Sequence, residues 1–512
     1  LVSYGLLLGL LLLLAGCSKE RFVPAPQPVQ ENVVIDYSAP VFSSAIETEL
    51  QSKTQMQDDG HLHWMADDRV SLFCGSTANQ QYVFSGRDGD RNGLLKKVAA
   101  PSQNGESVSS NYAVYPYDSN ATLSDGILHV NLPQTQTYVK GSFGPGASTM
   151  VAVTRDVEDH NLNFKNVTGY LVVRLYGDMT VKQVSIQSFG GEKISGSASI
   201  TASYSGTPSV AMSSDASDRI VLDCGSGVKL GETSETATEF WFALPPVTFS
   251  QGFTVNVTDT QGHTFSRART ASGTIARNRI VGINPFRVSN KAGEYVRMTS
   301  DPELYDSKKV KSMIEEAGIS LSSSVVDILY DIINKNGDIM LNRVVYTTTD
   351  RFGNIVEASG IITYQVKMKN NGTAYSKITS VSHFTCNFED APSINRIPVE
   401  AIAAFKEGNQ IVTLADYLGY GVSQTADNQH PYMVDNLSGT ACADLVEAAE
   451  PFLSEVGLKK SGKGVTIDLI GYSQGGAAVI STLKVLEKRG KKIGSLIAGG
   501  GPHDMKEFFN SV

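Results

Sequence analysis

The hydrophobic pattern changes period near residue 290, and that change commits the chain to at least two unlike parts. Before it, runs such as "RVSLFCG", "GILHVNLP", "GYLVVRLYG", "KQVSIQSFGG" and "FTVNVTDTQGH" alternate apolar with polar residues and are broken by Gly, Asn and Asp. Short period-two runs at regular spacing predict antiparallel β-structure. After it, "DSKKVKSMIEEAGI" and "SSSVVDILYDIINKNG" carry helical spacing, with Ser caps and a Gly stop. Strands then alternate with helices, which predicts a mostly parallel sheet covered on both faces.

The chain has 512 residues, more than one hydrophobic core usually serves. A net charge of -9 with no Lys/Arg run argues against a nucleic-acid partner. Small molecules, polymers or other proteins are the expected partners. Cys74, Cys224, Cys386 and Cys442 have no CxxC or metal-site spacing, so buried thiols are expected over disulfides. His61 and His63 in "HLHWMADD" flank one residue and would share a strand face, but no third ligand accompanies them. No metal or other cofactor is expected.

The first residues carry an address. Leu6 to Leu14 is a leucine run too short to span a bilayer, and it ends in Leu14-Ala15-Gly16-Cys17. This resembles a bacterial lipobox, which implies cleavage before Cys17 and lipidation of that cysteine. The polar, proline-bearing stretch that follows suits a tether. The expectation is an exported outer-membrane lipoprotein, at the cell surface or on the periplasmic face, with the membrane as a partner through its lipid. The sequence opens on Leu1 without a basic n-region, so we expect it to be truncated there.

From about 36 to 290 the order of several pieces resembles the fimbrillin-like family of surface lipoproteins. These are Trp64 with "DRVSL", "YAVYP" at Tyr112 to Pro116, "LPQTQ" at Leu132 to Gln136, "FKNVTGYLVVRL", "ISGSASI" and "FALPP" at Phe242 to Pro246. The resemblance implies two transthyretin-like β-sandwiches, over 36–165 and 166–290, that bind or present. Pilus or other surface proteins would be their partners.

The chemistry is expected in "TIDLIGYSQGGAAV", Thr466 to Val479, where an apolar strand runs into Gly471-Tyr472-Ser473-Gln474-Gly475 and then a helix. Such a turn exposes a strained serine at the C-terminal edge of a sheet, and small residues on either side let strand and helix pass. The N–H of Gln474 would be one oxyanion donor, and the other would come from the loop "SHFTCNFEDAPS". His383 in that loop precedes the serine, so it is read as shaping the loop.

From about Asn342 to Asp504, "VVYTTTDRFGNIVEASGIITY", "SHFTCNFEDAPS", "DYLGYG", "HPY", "GYSQGG" and "GGGPHD" resemble the secretory-lipase-like α/β-hydrolases in order. The resemblance implies a carboxylic ester substrate, a Ser-Asp-His triad, Ser473 as nucleophile and Thr385 as the second oxyanion donor. His383-Phe384-Thr385 stands where relatives often have His-Gly-Thr, and Asp416 belongs to a structural turn. The implied fold class is multidomain: two β-sandwiches, a linker with helical lead-in over 291–340, and an α/β-hydrolase domain over 341–512. Past Ser473 the acids are Glu487, Asp504 and Glu507 and the histidine is His503, none at a triad position. The hydrolase part is therefore expected to be truncated and, as given, inactive for want of its acid and base. The alternative is an adhesin or pilus-associated subunit with a non-catalytic hydrolase-like domain.

Overall fold

A computed structural model describes residues 33–47, 62–101, 103–309, 337–394, 399–405, 408–423, 430–432 and 434–502, with positions 312, 331 and 335. Cys17 and its lipobox, all but the last three residues of the tether expected over 18–35, His61, most of the two helices expected between 307 and 336, His503, Asp504 and Glu507 lie outside the described residues.

Seven of the strands before residue 167 belong together: β1 (Phe42–Ile46), β2 (Arg69–Phe73), β3 (Gln80–Ser85), β4 (Asn92–Lys97), β5 (Tyr112–Tyr115), β6 (Met150–Val153) and β7 (Asn161–Asn166). They close into a barrel in the order β1-β7-β6-β5-β2-β3-β4. Closure depends on β1, whose Ser43 to Ala45 pair with Asn161 to Asn163 on one side and with Leu94 to Asn92 on the other. The centre is aromatic: Trp64 is fully buried, stacked on Phe84 at 5.2 Å and edge-on to Phe164 at 5.1 Å. Each such ring stabilises the fold by roughly 1.5–3 kcal/mol through burial.

Next come β8 (Gly169–Gly177), β9 (Thr180–Ser188), β10 (Arg219–Lys229), β11 (Thr238–Leu244), β12 (Phe253–Asp259) and β13 (Thr264–Arg269); β8 and β11 pair in one sheet, and β9, β10, β12 and β13 belong to another. Tyr170 and Val172 of β8 and Trp241 of β11 join the core of the barrel. Strands also cross between the two regions, since Ile127–Leu132 pairs with Gly196–Thr201 and Thr135 to Thr137 pair with Val221 to Asp223.

The C-terminal part holds β14 (Ile339–Thr349), β15 (Ile355–Gln365), β16 (Lys377–Ser382), β17 (Gln410–Ala415), α1 (Asp435–Glu455), β18 (Thr466–Tyr472), α2 (Gln474–Lys488) and β19 (Ile493–Gly499). β14 and β15 form a hairpin whose loop is tightened by the Asp350 carboxylate, which accepts from the N–H groups of Phe352 and Asn354. The sheet order is β19-β18-β16-β17-β15, and it continues through β13-β12-β9-β10. The join is short, Phe265 and Ser266 against Ile355 and Val356. Arg297 grips the buried Glu357 at 2.8 and 3.0 Å beside it, and Arg267 approaches the same carboxylate at 3.6 Å. α1 and α2 cover one face of this sheet, and the short helix Val399–Ala403 covers the other.

The expected fold class is corrected on both counts. The described chain is mostly β, and its first unit is a closed barrel where a transthyretin-like sandwich was expected. Alternating runs serve either architecture, and pairing of β1 with both neighbours removes the edges a sandwich would keep. The sheet of the last part is mixed rather than mostly parallel: β14-β15 and β15-β17 are antiparallel, whereas β17-β16, β16-β18 and β18-β19 are parallel. Its sheet also continues into the one that holds β9, β10, β12 and β13, through the pairing of β15 with β13.

Candidate active site

Four parallel strands, β17, β16, β18 and β19, bring their C-terminal ends to one edge of the sheet. The turns that leave them carry His383 to Thr385, Asp416 to Tyr420, Ser473 and Gly500. Ends of parallel strands gathered in this way are where α/β sheets bind ligands.

Ser473 links β18 directly to α2, with φ 55° and ψ -120°. A non-glycine residue there is strained, and the neighbours hold it in place. The Ser473 N–H donates to the Gly499 carbonyl at 2.9 Å, and the Ser473 carbonyl accepts from the Gly476 N–H at 2.9 Å. The glycines are required by space. A Cβ on Gly471 would lie 2.0 Å from the Gly475 carbonyl oxygen, and one on Gly475 would lie 2.0 Å from that of Ser382. The serine is half-buried, and the exposed ring of Tyr472 stands beside it. As the first residue of α2, Gln474 has an N–H that no carbonyl of its own helix can accept. That places a donor with no acceptor in its own helix next to the serine, at the positive end of a helix dipole.

The loop after β16 abuts this turn. Thr385 is exposed, with its hydroxyl 3.0 Å from that of Tyr432, and the Phe384 ring also faces solvent. His383 is buried, its Nδ1 2.6 Å from the Phe384 carbonyl and its Nε2 3.1 Å from the Asp416 carbonyl, and its ring stacks on Tyr417 at 4.1 Å. Both ring nitrogens face backbone oxygens, an arrangement that braces a loop.

Asp416 is buried beneath these loops. Its carboxylate accepts from the Ser359 hydroxyl at 2.6 Å and the Ser393 N–H at 2.8 Å, and also from the Ser393 hydroxyl. Burial pushes its pKa above the usual carboxylate value, and the serine donors oppose that rise. Tyr417 follows at φ 68° and donates its hydroxyl to the His383 carbonyl at 2.9 Å.

Sequence reasoning did not single out His430, whose ring reaches the side chain of Gln474. The signal available was "HPY", a motif without evident chemistry. Among the described residues no imidazole or carboxylate accepts a hydrogen bond from the Ser473 hydroxyl. Nor does any group of three His, Cys, Asp or Glu among them suit a metal; His63 Nδ1 lies 2.7 Å from the Gly89 carbonyl. Cys74, Cys224, Cys386 and Cys442 are free thiols, and burial pushes Cys224 up to about 12 and Cys442 up to about 11. Glu487 lies on α2, away from the turn.

The chain matches no family description, and no curated protein matches it either. Among solved structures it is similar to the rice cell wall degrading esterase LipA from Xanthomonas oryzae, with 18% identity, 43% of this chain and 53% of that one covered, and a TM-score of 0.34. It is also similar to lipase A from Candida antarctica in its closed state, with 15% identity, 43% and 45% covered, and a TM-score of 0.28. The likeness thus spans about half the length of these lipase and esterase structures, 53% and 45%.

Proposed function

We propose that this protein belongs to a serine hydrolase that cleaves carboxylic esters, with Ser473 as the nucleophile. Support comes above all from one observation, the φ of 55° at Ser473 on a strand-to-helix turn where glycines make room for the serine. In this reading Ser473 Oγ attacks the ester carbonyl carbon, the alcohol departs and an acyl-serine forms, which water then hydrolyses. The Gln474 N–H and, from the loop after β16, the Thr385 N–H receive the developing oxyanion. The Oγ proton has to pass to a base, and the described residues place none at the serine.

The anchor and the location belong to the same proposal: lipid on Cys17 would hold the protein at the outer membrane, and the β-rich region would present the site. A second reading, an adhesin or pilus-associated subunit whose hydrolase-like part does no chemistry, draws support from the lack of a base among the described residues. A fluorophosphonate probe separates the two. The first expects one adduct per chain in the wild type and none in Ser473→Ala. The second expects no adduct, and equal labelling of both proteins would refute the first.

A further inference from the structure

Gln474 enters the proposed reaction through its backbone N–H, yet its side chain is just as firmly placed. It is buried, and its amide Nε2 lies 2.8 Å from Nε2 of His430. On the other side of the imidazole, Nδ1 lies 2.7 Å from the Leu418 carbonyl oxygen. A carbonyl only accepts, so Nδ1 carries the proton, and Nε2 of the neutral ring accepts from the Gln474 amide. The opposite amide orientation would set Oε1 against Nε2 and require protons on both ring nitrogens. Burial holds the His430 pKa below its ordinary value and disfavours that cation, with the Leu418 hydrogen bond opposing the shift.

The ring is held in turn. Tyr420 lies against it at 4.5 Å, with Tyr417 and Tyr432 each at 6.0 Å. Tyr417 and Tyr420 also donate their hydroxyls to the carbonyls of His383 and Cys386, so the cage includes the loop that carries Thr385. One imidazole therefore connects the loop after β17 and, through its tyrosines, the loop after β16 to the first residue of α2. Among the described residues Gln474 Oε1 is buried without a hydrogen-bond partner, so the amide is held through its Nε2 alone.

We infer that His430 is a positioning residue for acyl transfer, holding the Gln474 side chain so that the Gln474 N–H points at the oxyanion. The inference rests on the reading of Ser473 as nucleophile. It adds a residue that touches neither substrate nor serine and acts through the amide of Gln474.

A double-mutant cycle tests it, using His430→Ala, Gln474→Ala and the pair, because alanine at 474 removes the side chain and keeps the N–H. The first readout is the rate of fluorophosphonate labelling of Ser473, and the second, independent of chemistry, is the urea midpoint. Each single substitution is expected to slow labelling about tenfold, less than the ~10²–10³-fold of losing a donor outright, and the double to be no slower than the slower single. His430→Asn, which offers both a donor and an acceptor, is expected to recover part of the rate. Additive slowing, or an unchanged rate in His430→Ala, would overturn the inference. So would coupling in urea together with additive labelling, which would make the pair structural only. A wild type coupled in urea but never labelled at Ser473 would reject the nucleophile, and the positioning role with it.

Discussion

The backbone at Gly475 passes so close to β16 that a Cβ there would lie 2.0 Å from the Ser382 carbonyl oxygen. Both partners are main chain, so no side-chain rotation relieves the clash. Gly475→Ala is expected to destabilise the protein by about 1–3 kcal/mol and to slow labelling of Ser473, because the turn must shift to admit the methyl group. Urea unfolding and labelling rates check it together.

Strain at Ser473 gives a prediction of opposite sign. A residue held at φ 55° costs roughly 1–3 kcal/mol, which glycine relieves at an entropic cost of about 0.5–1 kcal/mol. Ser473→Gly is therefore expected to melt higher than the wild type and Ser473→Ala not to, while both lose the nucleophile. Thermal unfolding of the three proteins decides it.

Asp416 is a buried carboxylate accepting from two serines. Asp416→Ala would strand those donors and is expected to cost about 3 kcal/mol or more. Asp416→Asn keeps the shape and half of the acceptors and is expected to cost less. The loops it ties carry His383 and Tyr417, so labelling of Ser473 is expected to fall in the same order as stability.

Glu357 sits where the two halves of the long sheet meet, held by Arg297 and Arg267. Glu357→Leu leaves two arginines without their counter-charge at a junction of only two paired residues on each strand. Calorimetry is expected to show one transition in the wild type splitting into two in this variant.

The neutral state of His430 has a pH signature. Its folded pKa is lowered from 6.5, so the unfolded chain binds the extra proton first as pH falls. The stability it contributes is present above about 6.5 and is lost as pH falls through that value toward the lower folded pKa. Urea midpoints measured from pH 8 to pH 5 are expected to decline less steeply in His430→Ala than in the wild type.

The turn at Ser473 was legible because its constraints are local: a strand, a pentapeptide with two glycines and a helix leave few backbone solutions. The barrel was not, because β1 pairs with strands far ahead of it, and alternation along β1 says nothing about how many neighbours it has. The fusion of the sheets rests on Phe265 meeting Ile355 across a long stretch of chain, with no marker in either segment. The contact of His430 with Gln474 was not legible because the two lie 44 residues apart in the chain.

The central claim is that Ser473 takes up an acyl group. Mixing the protein with p-nitrophenyl acetate and digesting it after the p-nitrophenolate burst tests this directly, with mass spectrometry locating the acyl group. The expected result is one acetyl group per chain on the peptide containing Ser473, absent in Ser473→Ala. An acetyl group on another residue, or an undiminished burst in Ser473→Ala, would contradict it.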